Sequence, residues 1–88
     1  MTTAEVVVSN ALGLHARAAA RFVDLAGQFQ ARITVSCGQR EVDGKSILGL
    51  LLLSAARGAT LAISANGLDE AAAVGALTDL VRQGFGEL

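Results

Sequence analysis

Short runs of alternating or β-branched residues and longer runs with helical spacing interleave along the chain. Glu5-Val6-Val7-Val8-Ser9 is short and β-branched, and predicts a strand. Asn10-Ala11-Leu12-Gly13 follows as a turn, because Asn and Gly tolerate positive φ. From Ala16 the spacing becomes helical. Ala19, Phe22, Val23, Leu25 and Ala26 share one face, Arg17, Arg21, Asp24 and Gln28 lie largely opposite, and Gly27 marks the end. Arg32 to Cys37 alternates as a second strand, with Ile33, Val35 and Cys37 on one face. Gly38-Gln39 has the form of a hairpin turn, and Arg40 to Asp43 is a charged third strand suited to a sheet edge. Gly44-Lys45-Ser46 leads into a short second helix with Ser46 as its N-cap, closed by Ala55-Ala56-Arg57-Gly58 with Gly58 near C′. Ala59 to Ala65 is the fourth strand, with Leu61 and Ile63 inward, and Asn66-Gly67 turns the chain. Asp69 caps a third helix with Glu70 in its first turn, a buried stripe of Ala73, Val74, Leu77, Leu80 and Val81, and Arg82 near its end; Gly84-Phe85-Gly86 closes the fold.

The order βαββαβα, with a hairpin in the middle, predicts an α+β open sandwich: an antiparallel sheet covered on one face by helices. Its second helix is unusual. Ile47 to Leu53 is apolar on every side, and a two-layer fold cannot enclose such a helix. With Leu50 and Leu53 facing the core, Ile47, Leu48, Leu51 and Leu52 are left outward, an apolar cluster suited to docking a partner. The competing view is that one or two of these are tolerated surface leucines.

Composition narrows the function. Eighty-eight residues predict one domain spanning residues 1–88. The chain is 52% hydrophobic but 3% aromatic, so its core must be aliphatic apart from three Phe. A net charge of −1 argues against nucleic acid as a partner. The lone Cys37 excludes an internal disulfide, and one Cys with one His cannot make a zinc site, so neither metal nor cofactor is implied. The start lacks a positive n-region, and the longest apolar run is too short to span a bilayer. A cytoplasmic monomer without membrane contact is expected. Cys37 reads as a small apolar strand residue.

The candidate chemistry sits at Gly13-Leu14-His15-Ala16-Arg17, which holds the only histidine, at a strand-to-helix junction. The first N–H groups of a helix lack intrahelical partners, and the dipole there is positive. That setting favours a neutral, nucleophilic imidazole. A phosphoryl group on His15 would meet the free N–H groups near Ala16 and Arg17, and the Arg17 guanidinium could add charge-assisted hydrogen bonds. The reacting ring nitrogen should point at the helix end. Simple capping accounts for His15 poorly, since His is a mediocre N-cap. A hydrolase triad would need a nucleophile beside His15, and nothing in the sequence locates one.

These residues carry a resemblance. Gly13-Leu14-His15-Ala16-Arg17, Gly44-Lys45-Ser46-Ile47-Leu48-Gly49 and Ala65-Asn66-Gly67 before an acidic helix start together resemble the phosphocarrier family HPr of the bacterial phosphotransferase system, over nearly the whole chain. The resemblance implies sheet order 1-4-2-3 with three helices on one face. It implies that His15 is phosphorylated on Nδ1 by phospho-Enzyme I, which draws on phosphoenolpyruvate, and passes the group to a IIA protein or domain with Arg17 assisting. Such a protein is a covalent relay rather than an enzyme with its own small substrate. The family's partner face maps onto Ala20, Arg21, Ile47, Leu48, Leu51 and Leu52. The family's usual proline after the arginine is here Ala18, a strong helix former that preserves helix entry. Ala18-Ala19-Ala20 is similar to Gram-negative members, including the nitrogen-related branch, which regulates more than it transports sugar. Ser46 carries two readings, a helix cap or a regulatory site for an HPr kinase/phosphorylase as in part of the family. The alternative function is an HPr-like regulatory module that acts by docking through Ile47, Leu48 and Leu51 and is modulated at Ser46.

Overall fold

In the computed structural model, which describes residues 1–87, the elements run β1 (Thr2–Val7), α1 (Ala16–Ala26), β2 (Arg32–Cys37), β3 (Arg40–Asp43), α2 (Ile47–Leu52), β4 (Thr60–Asn66) and α3 (Glu70–Arg82), followed by a 3₁₀ turn at Gly84–Gly86. The four strands form one antiparallel sheet in the order β1-β4-β2-β3. β4 is central because its alternation suits both neighbours: Ile63 faces Ala4 on one side and Val35 on the other. One sheet face buries Val6, Ile33, Val35, Leu61, Ile63 and Ala65. The opposite face carries Thr3, Glu5, Thr34, Ser36 and Ser64, which are exposed or half-buried. The charged β3 lies at an edge, where solvent reaches its side chains.

Several boundaries differ from expectation. β1 begins at Thr2 rather than Glu5, because Thr2, Thr3 and Ala4 pair with Ala65, Ser64 and Ile63. Along α1, Ala18 is fully buried while Val23 and Leu25 are half-buried. α2 ends at Leu52, not near Gly58. Ser54 adopts the left-handed conformation at φ 51°, and Gly58, at φ 93°, instead serves the turn into β4, where its N–H donates to the Val8 carbonyl. On α3, Leu80 is half-buried and Thr78 is buried, its hydroxyl satisfied by the Val74 carbonyl at 2.8 Å.

Asp69 precedes α3 but makes no side-chain cap. Its carboxylate instead accepts the Gln30 and Ala31 N–H groups, at 2.8 and 2.9 Å, and so ties α3 to the entry of β2. Glu70 supplies the local order there. It accepts the Thr2 hydroxyl at 2.6 Å, the Met1 ammonium at 3.1 Å and the Gly67 N–H at 3.3 Å.

α2 divides as its composition requires. Leu50 is 0% exposed and Leu53 is buried. Ile47, Leu48 and Leu52 are exposed, Leu48 to 69%. Leu51 departs from the outward expectation: it is half-buried and packs on the core.

Candidate functional site

The site is a loop pinned at both ends. After β1, the Val8 N–H donates to the Ala59 carbonyl at 2.8 Å, which holds the chain beside β4. The Leu14 side chain is buried, and its N–H donates to the Ala55 carbonyl at 2.9 Å. Between them Gly13 turns the chain at φ 65°. With Leu14 plugged inward, His15 follows in extended conformation and must point outward as the N-cap of α1.

Both ring nitrogens of His15 are engaged. Nδ1 accepts the Arg17 N–H at 3.3 Å, and Nε2 lies 2.5 Å from Glu87 Oε2. An Nδ1 that accepts a backbone N–H carries no proton, so Nε2 holds the ring proton and donates it to Glu87. The nitrogen aimed at the helix end is thus the one with the free lone pair. His15 does cap the helix after all, but weakly, since 3.3 Å is long for a hydrogen bond. A bond of that length is easily exchanged for another, so capping and nucleophilic attack can use the same atom in turn.

Glu87 was invisible to sequence reading, for it stands 72 positions from His15 and outside any motif. The C-terminal turn delivers it. Phe85 is fully buried and anchors the turn, with backbone at φ 57°. The Arg21 guanidinium, from α1, donates to the Phe85 carbonyl. The Asn10 side-chain amide donates to Glu87 Oε1 at 2.9 Å, and this bond, with the His15 ring N–H behind it, holds the Glu87 carboxyl below its ordinary value.

His15, Ala16 and Arg17 line an open depression with Ala11, Leu12 and Glu87. The exposed Leu12 on its rim was also missed. Arg17 contributes its backbone N–H to the His15 ring. Arg21, expected on a partner face, is spent in part on the Phe85 carbonyl. Ala20 is half-buried on α1, which packs against α2 and its exposed Ile47, Leu48 and Leu52. Ser46 caps α2, its hydroxyl oxygen accepting the Gly49 N–H at 3.0 Å. Among the described residues no group of three or more His, Cys, Asp or Glu could hold a metal ion, and no helix is long and apolar enough to cross a membrane.

Comparison with known proteins identifies the family. Residues 2–83 match the family model for the "PTS HPr component phosphorylation site". The phosphocarrier protein HPr of Neisseria meningitidis is 44% identical over 87 residues, which is 99% of this chain and 98% of that protein. The phosphocarrier protein NPr of Shewanella violacea is 41% identical over 83 residues, 94% of this chain and 91% of that one. The crystal structure of HPr-C-His from Thermoanaerobacter tengcongensis superposes with a TM-score of 0.95 at 40% identity, covering 100% of this chain and 99% of that one. With its whole sheet and all three helices inside these matches, the chain belongs to the HPr family of phosphocarrier proteins of the phosphotransferase system.

Proposed function

We propose that His15 Nδ1 is the phosphoryl acceptor, loaded by phospho-Enzyme I at the expense of phosphoenolpyruvate and unloaded onto a IIA protein or domain. The observation that supports this most is the division of labour on the ring. Nδ1 presents a lone pair to the N-terminus of α1, and Nε2 is held by Glu87. Once loaded, the phosphoryl oxygens replace that lone pair as acceptor for the Arg17 N–H and take up the Ala16 N–H as well, where the helix dipole favours anions. The Arg17 side chain, on the same depression, adds a cation. The carrier works as a monomer in the cytoplasm, and meets its partners through Ala20, Arg21, Ile47, Leu48 and Leu52. Incubation with phosphoenolpyruvate and a bacterial Enzyme I should add one acid-labile phosphoryl group, absent from His15→Ala. No gain on the wild type, or an equal gain on His15→Ala, removes this reading.

A second reading concerns regulation at Ser46, and one observation favours it. Ser46 stands at the start of α2, directly before the exposed Ile47 and Leu48. A phosphate there would keep an acceptor for the Gly49 N–H while placing negative charge beside the docking surface. Transfer from ATP by an HPr kinase/phosphorylase to wild type but not to Ser46→Ala supports it; no transfer leaves Ser46 as a cap.

A further inference from the structure

Asn10 is fully buried, yet its amide is poorly spent for a residue that merely holds a turn. Nδ2 donates twice, to the Gly13 carbonyl at 2.7 Å and to Glu87 Oε1 at 2.9 Å. Oδ1 is buried with no hydrogen-bond partner among the described residues. Turning the amide over would aim Oδ1 at two acceptor oxygens, so the orientation is dictated by chemistry. Leaving a buried amide oxygen unpaired is costly, because its bond to water is lost and nothing replaces it. Holding Gly13 alone does not require the second donation. The second bond goes to the carboxylate that grips His15, and so links the loop before the histidine, the C-terminal turn and the imidazole in one chain.

We propose that Asn10 is a positioning residue for phosphoryl transfer: its amide fixes the Glu87 carboxylate on His15 Nε2, so that the ring keeps its proton there and the charge that develops on loading is met by a carboxylate. This rests on His15 being the acceptor. As the Nδ1 lone pair forms its bond to phosphorus, the bond between phosphorus and the donor breaks and its electron pair leaves with the donor. No proton is lost, because Nδ1 carried none, and Nε2 keeps its own. The imidazole thereby becomes a cation, and its Nε2–H points at Glu87 Oε2. Without Asn10 the Glu87 side chain can turn away into water, and the developing cation loses a fixed counter-charge.

The experiment is a double-mutant cycle on the rate of phosphoryl acceptance from phospho-Enzyme I, with Asn10→Ala, Glu87→Ala and both together. Each single variant should slow acceptance by about tenfold, the scale of one hydrogen bond to a charged group. In the Glu87→Ala background, Asn10→Ala should add little, because it acts through Glu87. Proton NMR gives a second readout that needs no Enzyme I. A far-downfield ring Nε2–H resonance should be present in the wild type, vanish in Glu87→Ala and weaken in Asn10→Ala. Equal effects of Asn10→Ala in both backgrounds, or wild-type rates in Glu87→Ala, overturn the proposal. If Asn10→Ala does not fold, Asn10→Ser, which keeps one short donor near Gly13, takes its place in the cycle. A wild type that accepts no phosphoryl group defeats the carrier reading itself, while an unchanged ring resonance in the variants defeats the role of Asn10 alone.

Discussion

Gly13 lies directly against the Ala55 backbone. A Cβ built on Gly13 would stand 2.5 Å from the Ala55 carbonyl oxygen and 2.9 Å from Ala56 Cα. The same oxygen accepts the N–H of Leu14, the residue before His15. The approach of the two backbones thus aims the histidine, and only a residue without a side chain permits it.

Gly13→Ala should therefore do more harm than an ordinary glycine substitution. Alanine would have to adopt φ 65° and displace backbone. The expected loss is about 2–5 kcal/mol in urea unfolding, with slower phosphoryl acceptance at His15. Gly38→Ala is the control, since Gly38 has a similar φ of 63° but nothing within 4 Å of a built Cβ. It should cost about 1–2 kcal/mol. Equal losses at both positions would show that the Ala55 contact has no consequence.

The two sides of α2 should separate stability from docking. Leu50→Ala removes a fully buried side chain and should cost about 2–5 kcal/mol. Leu48→Asp changes an exposed position in the first turn of a helix, where negative charge is favourable, and stability should move by about 0.5 kcal/mol or less. Its effect should appear as weaker binding to Enzyme I in calorimetry. A Leu48→Asp protein that melts as early as Leu50→Ala would place Leu48 in the core instead.

Ser46 can be tested as a cap without any kinase. Ser46→Ala leaves the Gly49 N–H without its acceptor and should cost about 1 kcal/mol in thermal unfolding. Ser46→Asp keeps an acceptor and should recover most of that loss. An Asp variant no more stable than the Ala variant would mean that the cap contributes little.

Acid should weaken the junction between α3 and the sheet. The Thr2 hydroxyl, and after it the N-terminal ammonium, holds the Glu70 carboxyl down at about 2, against an ordinary value of 4.5. Asp69 is lowered too, chiefly by the Gln30 N–H. A carboxyl with a depressed folded-state pKa binds its proton more readily when unfolded. Its stabilisation is whole above its unfolded value and is lost as pH falls through the folded one. Stability measured in urea at a series of pH values should thus decline from about pH 4.5 toward pH 2, and Glu70→Gln should flatten part of that slope. A slope unchanged by Glu70→Gln would remove Glu70 as its source.

The sequence by itself determined the elements and the outline of the site. Alternation specified β2 to the residue, because a strand with one buried face tolerates no slip of register, and the Gly38-Gln39 turn with the charges after it specified β3. His15 announced itself as the lone histidine before a helical run, and α2 announced its exposed leucines by being apolar on all sides in a two-layer fold. Such signals are local, written within a turn or two of chain. What the tertiary structure decided are contacts between distant segments. Asp69 looked like the cap of its own helix, but the packing of α3 brought the Gln30 and Ala31 N–H groups, 39 and 38 positions away, within its reach. Arg21 looked free for a partner, yet the C-terminal turn laid a carbonyl beside it. Glu87 carries no motif, and it meets Asn10 on one oxygen and His15 on the other only because buried Phe85 anchors one segment and buried Leu14 the other. A carboxylate's choice of partner depends on which donors the fold brings within about 3 Å of it, and no periodicity along the chain encodes that distance.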